Sequence, residues 1–281
     1  MKFGFEMGFL YDLRALYQTT INCELKLLVL AERYELAGIH VISANTDGLL
    51  CKIPLHLEAI YKEISDEWCK EFSFELEYAT YSKYVRTSVN DYLAIKDNGE
   101  IKTKGDFMVS YEKSFDLNEE FDDDDFSDEI DLRKGYGMPI VVKAVNAYFT
   151  KGIPIKDYIH AGNDIYDFCL TQKIGGQFLA EYHTIKNGSL NIENVQKDIR
   201  YFVSDRGGVL IKKYKDKDKR ISIQAKQTAT IFNDWFPCAT MLDYNIDYKF
   251  YVSEAMKIIN TVSLIRTKDM KKYTGKMFDD L

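Results

Sequence analysis

The strongest constraint in this sequence is a helical pattern that runs directly into a β-hairpin. Apolar residues recur at helical spacing over residues 13–37, and Gly38 supplies a helix end. Two short apolar runs, 39–43 and 48–53, then flank the turn Asn45-Thr46-Asp47-Gly48. Apolar runs on both sides of a tight turn are typical of a β-hairpin. We therefore predict a helix followed by a hairpin with an acidic tip.

The next stretch continues this mixed pattern. An amphipathic helix is predicted over residues 55–71, strands are predicted over 72–81 and 84–96, and Asn98-Gly99 predicts a hairpin turn into residues 101–104. Helix, hairpin, helix and strands in this order indicate an antiparallel sheet backed by helices, which is an α+β fold. This first part is expected to occupy residues 1–115.

An acidic run interrupts the pattern. Residues 116–131 contain ten acids and no base, and without them the formal charge of −7 would become +3. We place a linker or loop at residues 116–135, either a solvated segment or an electrostatic competitor of a polyanion. The second part, residues 136–281, is predicted to be mixed but mostly helical. It has helices at 139–151 and 251–265 and short strands near 199–203, 209–213 and 221–223.

Cysteine and histidine usage excludes several classes of protein. The five cysteines contain no CxxC pair, and the four histidines lie far apart in the sequence. This pattern argues against a zinc ribbon or a disulfide scaffold and for a reducing compartment. No signal peptide and no apolar run of membrane-spanning length is present. A cytoplasmic protein without a membrane partner is expected.

Asp47 is the candidate of greatest chemical interest. A short carboxylate fixed at a turn between two strands is a suitable ligand for the divalent ions of phosphoryl transfer. The alternative from the residues alone is that Asp47 simply forms the turn, since aspartate is common there.

The surrounding residues carry a resemblance to a known family. Asn22-Cys23-Glu24-Leu25 and the stretch from Gly38 to Gly48 resemble the palm of family B DNA polymerases, especially those of phages and mobile elements. That family has Asp-Thr-Asp on a β-hairpin, and its last Asp, which binds the catalytic metals, corresponds to Asp47. Asn45 replaces the first Asp of the motif. Thr46 is the central residue and is expected at the nucleotide.

Further motifs follow in the order of that family. Val89-Asn90-Asp91-Tyr92 is similar to Lys-x-Tyr, with Asn90 in place of the lysine, and Lys102-Thr103-Lys104-Gly105 looks like Lys-x-x-Gly. The resemblance implies that Tyr92, Lys102, Lys104 and Gly105 contact the primer. Met1-Lys2-Phe3-Gly4 resembles the end of the fingers helix, which we place at residues 1–10, and the second part looks like a thumb.

The resemblance implies a C-terminal fragment or split subunit of a DNA-directed DNA polymerase acting in phage or bacterial replication. Mg²⁺, or Mn²⁺ in its place, would bind as two ions, and primer-template DNA and a dNTP would be the partners. A separate N-terminal half would supply the second Asp, the fingers and the exonuclease, so the chain is expected to be inactive alone. Two alternatives remain, a non-catalytic DNA-binding palm-thumb remnant and a degenerate product that aggregates.

A basic stretch, residues 212–220, is the other charged feature. In a thumb, its cations would contact DNA phosphates, where each adds affinity that depends on salt and not on sequence. A solvated hairpin loop is the alternative. The candidate phosphate contacts are Lys212, Lys213, Lys215 and Arg220.

Overall fold

The computed structural model describes residues 12–108, 137–223, 227–234, 238 and 240–262. The chain forms two compact units, Met1–Ser82 and Lys83–Leu281. The predictions of a fingers-helix end at residues 1–10 and of an acidic linker at 116–135 lie outside the described residues. None of the described helices is long and apolar enough to cross a membrane.

The first unit has the predicted order of helix, hairpin and helix. Its elements are α1 (Leu13–Leu36), β1 (His40–Ala44), β2 (Leu49–Lys52) and α2 (Glu58–Phe72). Asp12 begins α1 because its side chain accepts a hydrogen bond from the amide of Ala15, at 3.0 Å. Gly38 follows α1 with a φ of +83°, a conformation that glycine adopts without strain.

Buried aromatic residues hold α1 against α2. Leu30, Tyr34, Ile39 and Trp68 form the core of this unit. The hydroxyl of Tyr34 shares a 2.7 Å hydrogen bond with Ser65, and the indole of Trp68 donates to the carbonyl of Lys26 at 2.9 Å. Because both polar groups are satisfied, these large side chains are buried without an unpaired donor.

The second unit contains most of the strands. A three-stranded sheet is formed by β3 (Tyr81–Arg86), β4 (Tyr92–Lys96) and β5 (Ile101–Lys104). The helices are α3 (Pro139–Lys151), α4 (Ile155–His160) and α5 (248–262). A six-stranded sheet comprises β6 (Leu170–Lys173), β7 (Phe178–Lys186), β8 (Ser189–Val195), β9 (Asp198–Tyr214), β10 (Arg220–Ser222) and β11 (Ala229–Ile231).

The long strand β9 organises the six-stranded sheet. Its first half pairs with β6 and β11, and its second half pairs with β7 and β10. Gly207 and Gly208 lie between the halves, where a Cβ on Gly207 would come within 2.3 Å of the carbonyl oxygen of Ala229. A Cβ on Gly208 would come within 2.5 Å of the carbonyl oxygen of His183. Only glycine therefore allows the neighbouring strands to approach β9 this closely.

The α+β class is confirmed, but its details differ from the prediction. The expected antiparallel sheet of the first part is two separate sheets, β1–β2 and β3–β4–β5. The expectation of a mostly helical second part is corrected, because the described residues there are organised around the six-stranded sheet. The two short strands predicted at 199–203 and 209–213 are both parts of β9.

The units also divide at a different place from the predicted linker. Residues 83–108 contribute Val85, Leu93 and Phe107 to the same buried core as α3 and β9. The strands that carry Tyr92, Lys102 and Lys104 therefore share one buried core with helix α3 and strand β9 of the second unit. The palm and thumb labels themselves stay a prediction.

Candidate functional site

The β1–β2 hairpin that carries Asp47 is anchored at its base to the end of α1. A carboxylate oxygen of Glu35 accepts a 2.6 Å hydrogen bond from the amide of Val41. Val41 pairs with Cys51, and both pack against the core of the first unit. The base of the hairpin is thus fixed by a charge-assisted hydrogen bond and by packing, and its tip extends into solvent.

The tip is a two-residue turn with Thr46 and Asp47 at its centre. The amide of Asn45 donates to the carbonyl of Gly48 at 3.0 Å, and all three residues before Gly48 are exposed. A Cβ on Gly48 would lie 3.3 Å from the side-chain oxygen of Asn45, so glycine leaves room for that side chain over the turn.

The carboxylate of Asp47 has no hydrogen bond or ion pair with any residue that the structure describes. An aspartate that begins a turn can accept a hydrogen bond from the backbone two residues on, which would occupy one of its carboxylate oxygens. Asp47 lacks that bond, so none of the described residues occupies its two carboxylate oxygens, and the alternative that Asp47 only forms the turn stays open.

The expected pair of Mg²⁺ ions needs several metal-binding side chains close together. Within the described residues, no group of three or more His, Cys, Asp or Glu side chains is placed to hold a metal ion. Two-metal phosphoryl transfer uses carboxylates that bridge or flank both ions. Asp47 offers one, so the described residues by themselves do not fit a pair of Mg²⁺ ions.

The second unit brings three of the predicted primer contacts onto one face of a sheet. In the β4–β5 hairpin, Tyr92 pairs directly with Lys104, and Ala94 pairs with Lys102. Paired residues of antiparallel strands point to the same face, and so do residues two apart. Tyr92, Lys102 and Lys104 therefore share a face, which we call the Tyr92 face. Both lysines are exposed, and neither forms an ion pair with a described residue.

Sequence reasoning missed two further residues of the Tyr92 face. The ring of Tyr84 stacks on that of Tyr92, with centroids 5.3 Å apart, which places Tyr84 on the same face. Arg86 follows two residues later in β3 and shares that face by alternation. The alternation of Tyr84 and Arg86 was visible in the sequence, but the pairing of β3 with β4 was not.

Gly105 has a structural reason for being glycine. Its φ is +61°, and a Cβ there would lie 1.9 Å from a carboxylate oxygen of Asp91. The same oxygen of Asp91 accepts a hydrogen bond from the amide of Asp106 at 3.2 Å. Burial, together with the nearby charge of Asp91, raises the pKa of Asp106. Gly105 thus allows the chain after β5 to pack on the turn before β4. The primer contact expected of Gly105 stays a prediction.

The four candidate phosphate contacts in the basic stretch do not all lie on one face of the sheet. Lys213 pairs with Arg220 across β9 and β10, whereas Lys212 points to the opposite face, with its Nζ 5.3 Å from the ring centre of Phe178. Lys215 follows β9, and its amide donates to the carbonyl of Gln177.

Acidic neighbours hold the guanidinium of Arg220. Arg220 Nε donates to Glu181 at 3.0 Å, and Arg220 Nη1 donates to Asp218 at 2.8 Å. His183 Nε2 lies 2.8 Å from the same oxygen of Glu181. Burial alone would raise the pKa of Glu181, but the hydrogen bonds with His183 and Arg220 lower it below its usual value. Arg220 therefore already has two carboxylate partners, which reduces its availability to a phosphate.

We compared the chain with models of protein families, with curated proteins and with solved structures, and none of the three comparisons finds a match.

Proposed function

We propose that the chain is the C-terminal palm-and-thumb part of a DNA-directed DNA polymerase similar to family B, a nucleotidyltransferase of DNA replication. The observation that carries the proposal is the Tyr92 face. Three residues chosen from two separate motifs, Tyr92, Lys102 and Lys104, lie side by side on it. Exposed cations beside an aromatic ring suit a nucleic-acid strand, since the cations bind phosphates and the ring packs on sugar or base.

Asp47 supports the same proposal from the first unit. An exposed carboxylate that has no partner among the described residues, and that lies on an anchored hairpin, is suited to contribute one ligand to an assembled metal site. The second carboxylate, the fingers and the dNTP contacts would come from a polypeptide outside this sequence. Mg²⁺, or Mn²⁺, would bind only in that assembled site, where it would supply the Lewis acid of nucleotidyl transfer. We place the protein in the cytoplasm of a bacterial or phage-infected cell.

The Tyr92 face is tested by binding of a fluorescent primer-template duplex over a range of salt concentrations. The double variant Lys102→Ala/Lys104→Ala should bind more weakly. The slope of log K against log salt should become shallower by about 2, since each duplex phosphate contact contributes about 0.9. The matched control, Lys62→Ala/Lys257→Ala, removes two exposed helix lysines and should leave the slope unchanged. Equal slopes for the two double variants would refute the assignment.

A second function, a non-catalytic DNA-binding remnant, is favoured by one observation. The residues of the Tyr92 face belong to the second compact unit and Asp47 belongs to the first, so among the described residues the structure shows no bond that couples Asp47 to the face. The remnant predicts DNA affinity that Asp47→Ala leaves unchanged and no primer extension with any upstream polypeptide. Extension that depends on Asp47 would instead identify the chain as part of an enzyme.

A further inference from the structure

We propose that the outer edge of β8 is a dimerisation surface at which a second copy of this chain adds its own β8 in antiparallel orientation. Among the described residues, β8 lies at the end of the strand order β10–β9–β7–β8, so one of its edges has no partner there. The inference is independent of the polymerase proposal.

The hairpin turn determines which backbone groups lie on this edge. Lys186 pairs with Ser189 across the turn Asn187-Gly188, whose φ values are 52° and 75°. These values are typical of a two-residue type I′ turn, whose closing pair exchanges backbone hydrogen bonds. Hydrogen-bonded and non-hydrogen-bonded pairs alternate along an antiparallel ladder. The N–H and C=O groups of Leu190, Ile192 and Asn194 therefore point outward.

As far as the structure describes it, this edge carries no lysine, proline or bulge, which are features that prevent strand addition. Natural edge strands carry lysine, proline or a bulge. The strand β8 has the sequence Ser-Leu-Asn-Ile-Glu-Asn-Val, and its seven residues pair with β7 without a shift in register. Its one charge, Glu193, is bound by Lys186 at 2.9 Å and by Asn191 at 2.6 Å. A neutralised, regular and proline-free edge is open to a further strand.

Apolar side chains accompany the edge on one face of the hairpin. Ile185 is paired with Leu190, and Ile192 lies two residues further along β8. The three residues are 79%, 65% and 46% exposed, respectively. The hairpin tip extends past the residues of β7 that pair with β9, which end at His183. Burial of this exposed apolar strip by a partner would supply most of the free energy that stabilises the dimer.

A second copy fits this edge in a self-complementary register. If a two-fold axis passes at Ile192, then Ile192 lies opposite its own copy, and Leu190 lies opposite Asn194. All three outward-pointing positions would then exchange backbone hydrogen bonds. Glu193 would lie opposite Asn191, the residue type that already binds it within one chain. No like charges face each other, so the register is favourable for a homodimer.

The proposal is tested first by sedimentation of the full chain over a wide concentration range. The wild type should shift from monomer to dimer, and Ile192→Lys should weaken the dimer at least about tenfold, because a lysine at an edge opposes pairing. Leu242→Lys removes another exposed leucine, 76% exposed and outside the hairpin, and should dimerise like the wild type. A wild type that stays monomeric, or an Ile192→Lys variant that dimerises normally, would overturn the proposal.

Cysteine cross-linking tests the register separately. Opposed residues of a hydrogen-bonded antiparallel pair have Cα atoms about 5.5 Å apart, within the range of a disulfide. Ile192→Cys should therefore form a disulfide-linked dimer under mild oxidation. In Asn194→Cys the two new thiols would lie about 14 Å apart, since their strands are offset by four residues. The yield of disulfide-linked dimer for Asn194→Cys should equal that of the wild type, whose five native cysteines set the background. Equal cross-linking of both variants would contradict the register.

Discussion

Tyr251 is expected to link α5, the six-stranded sheet and the segment before β6 through a single hydroxyl. The side chain is fully buried. Its hydroxyl donates to the carbonyl of Phe168 at 2.7 Å and accepts from the amide of Val203 at 2.8 Å. Burial raises the pKa of Tyr251 well above its ordinary value, so the hydroxyl stays protonated and makes both bonds.

The substitution Tyr251→Phe keeps the ring and leaves both partners buried without a hydrogen bond. Each of the two unsatisfied buried groups costs about 1–3 kcal/mol, and relaxation recovers part of the combined cost, so we expect a loss of about 2–3 kcal/mol. This loss corresponds to amide exchange about 30- to 150-fold faster in the core of β9.

Hydrogen exchange measured by mass spectrometry on peptides from β9 tests this expectation, with the amide of Val203 as the most direct reporter. The control is Tyr166→Phe, a residue 42% exposed whose ring packs on Phe232 and whose hydroxyl has no hydrogen bond with a described residue. Exchange in Tyr251→Phe that stays within about twofold of this control would refute the assigned role of the hydroxyl.

The remaining predictions concern a glycine and a buried carboxylate. Gly105→Ala should destabilise the second unit by more than about 2 kcal/mol, because it combines a positive φ with a clash against Asp91. Gly99→Ala shares the positive φ but meets nothing within 4 Å, so the difference between these variants in urea unfolding isolates the clash; equal losses would contradict it. The lowered pKa of Glu181 predicts stability that is present above its unfolded pKa, about 4.5, and lost as pH falls through the folded value. Glu181→Gln should therefore show a weaker loss of stability on acidification than the wild type, and an identical pH profile would exclude Glu181 as the cause. Removing Arg220, which donates to Glu181, should also weaken the acid dependence.

The helices were largely predictable from the sequence because their signals are local. The apolar spacing before Gly38 predicted α1, and the punctuation by Pro139 and Gly152 predicted α3 with its observed bounds. The long strand β9 was not predictable as one element, since Gly207-Gly208 has the composition of a break. Close approach of neighbouring strands, which no local pattern reveals, explains both glycines.

The Tyr92 face could not be predicted from the sequence, because it depends on the register between β4 and β5. An Asn-Gly pair most often forms a two-residue turn, which would pair Tyr92 with Gly105 and turn both lysines to the other face. The structure instead has a three-residue loop, closed by a 2.9 Å hydrogen bond from the amide of Lys96 to the carbonyl of Glu100, with Gly99 at a φ of +87°. This shift of one residue places Tyr92 opposite Lys104. Residue types in the motif were visible in the sequence, but the register that brings them together was not.

Primer extension tests the central proposal most directly. The chain would be mixed with a polypeptide that carries the second catalytic Asp and the fingers of a family B polymerase, and assayed with primer-template DNA, dNTPs and Mg²⁺. The proposal predicts extension by the mixture and a loss of about 100-fold or more in Asp47→Asn, which preserves the shape of the side chain and removes its charge. Duplex binding by Asp47→Asn should remain at the wild-type level. Extension by Asp47→Asn at the wild-type rate would contradict the assignment of Asp47 as a metal-binding carboxylate.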